Sequence, residues 1–151
     1  MSKHIIRRAV AADAAELTRL TSQLGYGYPA SEAAIRLRLL RMIDSSTDCL
    51  LVAEDSSGEL AGWIHGFLSQ LLETDYRVEI GGLLVDDKWR RHGIGRQLVR
   101  AIEEWAVERG ADELSVRCRE ERGEAHKFYE GLLFRHTKTQ RVFRKRVGNL
   151  A

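Results

Sequence analysis

Between Val85 and Leu98 the chain reads Val-Asp-Asp-Lys-Trp-Arg-Arg-His-Gly-Ile-Gly-Arg-Gln-Leu. An apolar, strand-like run from Ile80 to Val85 leads in, and an amphipathic helical pattern leads out. A helix entered this way has first-turn N–H groups with no intrahelical acceptor, and such groups can hold phosphate. Arg90, Arg91 and Arg96 add positive charge at the same point, with His92 and Ile94 between them. Gly93 and Gly95 lack a Cβ, so the backbone can approach a pyrophosphate and its N–H groups can converge. The helix dipole adds roughly 0.3–1 kcal/mol at an exposed site. Gly-x-Gly alone would describe a flexible turn; the preceding strand, the arginines and the following helix make it a phosphate turn. A dinucleotide site would need three glycines on the first β-α turn, and a Walker loop would need Gly-Lys-Ser/Thr. Neither is present.

Two more side chains could do chemistry. Glu79 is a carboxylate in the otherwise apolar stretch Glu79-Ile-Gly-Gly-Leu-Leu-Val85. Gly81-Gly82 weakens that strand and suits a bulge or a close backbone approach by a ligand. Tyr129 sits in Ala125-His-Lys-Phe-Tyr-Glu-Gly-Leu-Leu-Phe134, where Phe128 and Leu132 are spaced to bury together and leave Tyr129 pointing elsewhere. Plainer roles are an ion pair between Glu79 and Arg77, and a core tyrosine with a satisfied hydroxyl. His65, near Trp63, reads as a structural strand histidine rather than a catalytic one, and Tyr76 is a similarly weak candidate.

These residues need elements to position them. Ile5 to Val10 reads as a strand, and Asp13 starts a helix carrying Ala14, Leu17, Leu20 and Leu24. Gly25-Tyr26-Gly27-Tyr28-Pro29 breaks it. Ser31 caps a second helix with Ile35, Leu39 and Met42 on one face. Strands follow at 49–53 and 60–68 around the turn Asp55-Ser-Ser-Gly58, and again at 77–85. A helix from about Gly93 to Glu108 buries Ile94, Leu98, Ile102 and Trp105, and Gly110 stops it. Leu114, Val116 and Cys118 alternate as a buried strand. Residues 123–130 form a short helix, and 133–136 with 139–147 form a terminal strand pair. The order β-α-α-β-β-β-α-β-α-β-β predicts a mixed α/β (α+β) fold, its sheet covered by helices on both faces.

The 151 residues, 44% hydrophobic and 30% charged, suit one globular domain spanning 1–151. No apolar run is long enough to span a membrane, and the N-terminus lacks a secretory apolar region. Cys49 and Cys118 are too few and too far apart for a disulfide framework or a zinc site, so no metal is expected. A reduced, cytoplasmic protein follows as the expectation. The net charge of +2 argues against a polyanion binder. Arg135, Lys138, Arg141, Arg144, Lys145 and Arg146 make the last segment basic, which reads as a solvated face rather than a nucleic-acid site.

The phosphate turn resembles the acyl-CoA pyrophosphate loop of the GNAT N-acetyltransferase superfamily, Gln/Arg-x-x-Gly-x-Gly/Ala, with Arg90, Gly93 and Gly95 at its fixed positions. The helix at 123–131 resembles the family's Ala-x-x-Phe-Tyr-x-x-x-x-Phe segment, and the likeness in element order runs from about Ile5 to Val147. The resemblance implies a GNAT-like, mostly antiparallel central sheet with splayed central strands and acetyl-CoA as co-substrate. It implies main-chain contacts to the pantetheine from Leu84 and Val85, and pyrophosphate contacts from Arg90, Arg91, His92, Gly93, Ile94, Gly95 and Arg96. It gives Glu79 the role of general base and Tyr129 that of acid toward the departing thiolate. The base role has a physical reason: a lysine-like amine, with a pKa near ~10.4, must lose a proton before it attacks a thioester. The 25–29 loop would border the acceptor pocket, with Tyr26 and Tyr28 as an aromatic wall or as a packed turn. Two positions depart from the pattern. Arg122 stands where Asn is common, which puts a usual pantetheine contact in doubt, and Leu133 stands where Gly is common, which implies an adjusted turn.

The expected function is acetyl transfer from acetyl-CoA to a primary amine, small-molecule or peptide, by direct attack in a ternary complex. A non-catalytic acyl-CoA sensor or interaction module is the alternative. A homodimer is plausible by resemblance, and neither a nucleic-acid nor a membrane partner is expected.

Overall fold

Strand alternation and two helix faces organise this chain. The computed structural model describes residues 3–24 and 31–148, which divide into compact units Met1–Arg117 and Cys118–Ala151. In the first unit, strands β1 (Ile5–Arg8), β2 (Asp48–Glu54), β3 (Leu60–Ser69), β4 (Arg77–Val85) and β5 (Glu113–Val116) form one sheet in the order β1-β2-β3-β4-β5. Neighbours are antiparallel except β4 and β5, which are parallel. The mixed, mostly antiparallel sheet read from the sequence is therefore present.

Helices α1 (Ala14–Thr21) and α2 (Glu32–Ile43) cover one face. There Leu17, Leu20 and Leu39 pack with Val52, Leu60 and Leu84. Ser31 caps α2 through its hydroxyl, which accepts from Ala34 N–H at 3.1 Å. Helix α3 (Ile94–Glu108) covers the other face and buries Ile94, Leu98, Ile102 and Trp105, the expected stripe, together with Val99 and Ala106. Each such Leu or Ile contributes roughly 1.5–3 kcal/mol by leaving water. Helix α3 lies close because β3 presents glycine to it. A Cβ at Gly62 would stand 3.3 Å from Leu98, and one at Gly66 3.0 Å from Ile102.

Strand β4 departs from a regular ladder in two places. Its pairing with β5 ends at Ile80↔Val116, so residues 82–85 keep only their β3 partner among the described residues. This is the splay. His65 and Gly66 face Gly82 and Ile80, so Gly81 is an extra residue. The bulge turns Gly81 and Gly82 to the same face as Glu79, the α1/α2 face, and reverses the alternation beyond them.

The second unit contains α4 (Gly123–Gly131). The rings of Phe128 and Phe134 meet Tyr129 edge-on at 5.0 and 5.3 Å. The expected strand pair over 133–147 is not formed: the segment contains no strand. Val142, Phe143 and Val147 are exposed, so they bury no face that would hold a hairpin together. Strand β5 also stops at Val116, and Cys118 lies outside it, half-buried. No described helix is long and apolar enough to cross a membrane.

Candidate active site

The turn after β4 is built from the inside out. Asp86 is 4% exposed and accepts from Arg19 Nη1 at 2.8 Å, Gln23 Nε2 at 3.4 Å and Lys88 N–H at 3.3 Å. Burial alone would raise this carboxyl, but the three donors outweigh it and hold it below the ordinary carboxylate value. The single 3-10 turn Asp87–Trp89 follows. The Trp89 ring is wedged edge-on between His4 at 4.5 Å and His92 at 5.4 Å. His92 Nδ1 lies 2.8 Å from Arg90 O.

Arg91 has φ 64° and Gly93 φ 80°, left-handed residues two positions apart with His92 between them. Such alternation turns successive N–H groups toward one point. Gly93 supplies no side-chain cap, and the first backbone bond of α3 runs from Gln97 N–H to Gly93 O at 3.0 Å. The N–H groups of Ile94, Gly95 and Arg96 thus precede the ladder without helical acceptors. Arg90 is tied to Asp87 at 3.0 Å. Arg91 and Arg96 are exposed and make no ion pair among the described residues. A Cβ placed at Gly93 would touch nothing within 4 Å, so the space beside its α-carbon is open. This donor set suits a pyrophosphate.

The β4 edge continues the same surface. Asp86 N–H donates to Ala61 O at 2.8 Å, so residue 86 turns its main chain toward β3, and residue 84 does the same by alternation. The Leu84 carbonyl does look toward β3, 2.6 Å from where a Cβ on Gly62 would stand. The main-chain groups of Leu83 and Val85 face the side that β5 has left. The resemblance implies Leu84 beside Val85 and passes over Leu83, because the phase of a strand past a bulge is not visible in sequence.

Glu79 lies on β4 opposite Phe67 and Ser115. Its carboxylate is largely buried and pairs with Arg117 at 3.4 Å, not with Arg77, which reaches Glu113. On the same face, a cavity of about 190 Å³ opens between α1, α2 and the sheet, lined in part by Leu39, Met42, Trp63, His65, Gly81 and Gly82. His65 Nε2 is 2.7 Å from Asp48 Oδ1. The histidine that reads from sequence as structural therefore lines a pocket and has a carboxylate partner. The only sequence signal was Asp48 at the head of β2, and the cross-strand register that joins the two was not legible. Tyr26 and Tyr28 lie outside the described residues.

Tyr129 belongs to the second unit, where it is 9% exposed. Burial pushes its phenol well above the usual tyrosine value, nearby Cys118 adds to this, and Arg122 opposes it. The phenol therefore stays protonated through the neutral range. Leu133, in place of the common glycine, adopts φ 70°, the left-handed conformation glycine would take.

The model of the acetyltransferase (GNAT) family matches residues 14–133, and the chain belongs to that family. It is by family an N-acetyltransferase with the GNAT fold. The aminoglycoside N-acetyltransferase AAC(6')-Iy, solved with CoA, is 20% identical with TM-score 0.86, and the match covers 97% of each chain. The aminoglycoside 6'-N-acetyltransferase AAC(6')-Ih from Acinetobacter baumannii is 19% identical, covering 96% of this chain and 99% of that one, with TM-score 0.84. A transcriptional regulator from Bacillus halodurans C-125 is 26% identical, covering 93% and 99%, with TM-score 0.79. No curated protein sequence matches.

Proposed function

We propose that the chain transfers an acetyl group from acetyl-CoA to a primary amine by direct attack in a ternary complex, with residues 1–151 acting as one acetyltransferase domain. The observation that carries this reading is the run from an open β4 edge into the left-handed turn at Arg91 and Gly93. An extended amide-bearing arm would pair with Leu83 and Val85, and its pyrophosphate would rest on the N–H groups at 94–96 with Arg91 and Arg96 beside it. Acetyl-CoA supplies the activated thioester. The acceptor enters the cavity below α1 and α2. Glu79, directly or through water, accepts a proton from its nitrogen. Tyr129 offers its phenol O–H to the leaving sulfur. A CoA-bound aminoglycoside N-acetyltransferase among the structural neighbours is consistent with this reading.

Two measurements test it together: calorimetric CoA binding, and loss of thioester absorbance against pooled amines. Turnover with any pool is expected. Tight CoA binding with no turnover across small amines and peptides would favour an acyl-CoA sensor, and no CoA binding would refute both.

A further inference from the structure

The nitrogen of an ammonium acceptor sheds two protons on its way to an amide, and Glu79 is not the only proton acceptor on this face. Asp48 stands on β2 and His65 on β3, both turned to the α1/α2 side. Asp48 is held below the ordinary carboxylate value. Its burial alone would raise it, but donors from Ser45 at 2.7 Å and from His65 outweigh that effect. An ionised carboxylate only accepts, so His65 Nε2 carries the hydrogen, and in the neutral imidazole Nδ1 is the nitrogen with the lone pair. Nδ1 has no hydrogen-bond partner among the described residues, and it points at the bulge, 2.9 Å from where a Cβ on Gly81 would stand. Glycine at 81 is what leaves that nitrogen uncovered in the cavity wall.

The rest of the wall limits what can enter. Its side chains are chiefly Leu17, Leu24, Ile35, Leu39, Leu50 and Trp63, with Thr21 and Arg38 as further polar groups and no carboxylate among the described lining residues. An acceptor with several ammonium groups would bury charge against hydrocarbon and face Arg38. The volume of about 190 Å³ is also small beside the roughly 300–1,000 Å³ of drug-sized sites.

Resting on the acetyltransferase reading above, we infer that this cavity takes a small primary amine with one basic nitrogen on an apolar body, and that His65 Nδ1 removes the first proton from its ammonium. The freed lone pair then forms the C–N bond to the acetyl carbon as the C–S bond breaks. The sulfur leaves with the bonding pair and is protonated to the thiol. The new amide nitrogen gives up its second proton, toward Glu79. His65 returns its proton to solvent, so one proton is released per turnover. Asp48 acts as a positioning residue that fixes the imidazole tautomer. The charged groups on this face are Asp48 of β2, bonded to His65, Arg38 of α2, which lines the same cavity, and Glu79 of β4, opposite Phe67 and paired with Arg117.

The test compares 2-phenylethylamine with neamine as acceptors in wild type, His65→Gln, Asp48→Asn and Glu79→Gln, with CoA binding and thermal melting as controls of folding. Phenylethylamine is expected to be the better substrate by at least about 100-fold in kcat/KM. His65→Gln is expected to lose about 100-fold near neutral pH while still binding CoA. It should regain most of that loss toward about pH 10, where the ammonium loses its proton to solvent unaided. A merely structural role for His65 would give no such recovery. In ligand-free protein, nitrogen NMR should show the Nε2–H tautomer, and Asp48→Asn should mix the tautomers. Preference for neamine, or a His65→Gln loss unrelieved by pH, overturns this inference and leaves acetyl transfer standing. Absent CoA binding in wild type overturns both.

Discussion

Arg19 on α1 donates to the Asp86 carboxylate at 2.8 Å, where β4 gives way to the phosphate turn. The same guanidinium donates to Leu60 O at 2.9 Å and to Glu16 at 2.7 Å. One side chain therefore ties the first helix, the start of β3 and the end of β4 to the start of the turn. Asp86→Asn keeps the shape and removes the charge. It should cost about 1–3 kcal/mol in urea unfolding, since a buried partner is weakened while Arg19 is partly solvated. Calorimetry should show CoA affinity falling by about 10-fold, as the turn loses its anchor.

Acid should act through the same class of group. Asp13 accepts from Arg7 Nη1 and Nη2, both at 2.9 Å, and from Val10 N–H at 2.8 Å. Its burial alone would raise the carboxyl, but these donors hold it low, as others do at Asp48 and Asp86. A carboxyl depressed in the folded state stabilises fully above its unfolded value, near ~3.9, and loses that stability as pH falls through the folded value. The melting temperature should hardly respond to these groups between about pH 5 and 7, then fall below about pH 4. Asp13→Asn should lower it at neutral pH and make the acid limb shallower. A steeper limb in the variant would refute the assignment.

Leu133 is 93% exposed with φ 70°. A left-handed L-residue costs roughly 1–2 kcal/mol, and glycine gives back roughly half of that as unfolded-state entropy. Leu133→Gly should therefore stabilise the protein by about 0.5–1 kcal/mol, read from the denaturant midpoint at unchanged slope.

Tyr129→Phe removes only the hydroxyl from a buried ring. If the phenol stabilises the leaving thiolate, kcat should drop by about 10- to 100-fold while acetyl-CoA binding barely changes. Steady-state kinetics with calorimetry separates the two, and an unaltered kcat would remove Tyr129 from the chemistry.

Local signals carried much of this protein. Helical periodicity at Ile94, Leu98, Ile102 and Trp105 marked the buried face of α3, because 3.6-residue spacing puts them on one side whatever they pack against. The glycine turn that enters α3 was legible for a similar reason, since it is made by a few consecutive residues at a helix start. The Ser31 cap and the hairpin at 55–58 are likewise events of a few adjacent residues. The terminal strand pair was misread because alternation at 133–147 shows which residues could share a face, not whether anything buries that face.

Tertiary structure alone decided the relationships between distant residues. The bulge at Gly81 exists only relative to His65 and Gly66 on β3, and it sets which main-chain groups of β4 face the vacated edge. The Asp48–His65 pair spans 17 residues, and Arg19–Asp86 spans 67. Sequence order leaves such contacts open because register and strand order, not spacing along the chain, bring those atoms within hydrogen-bond reach.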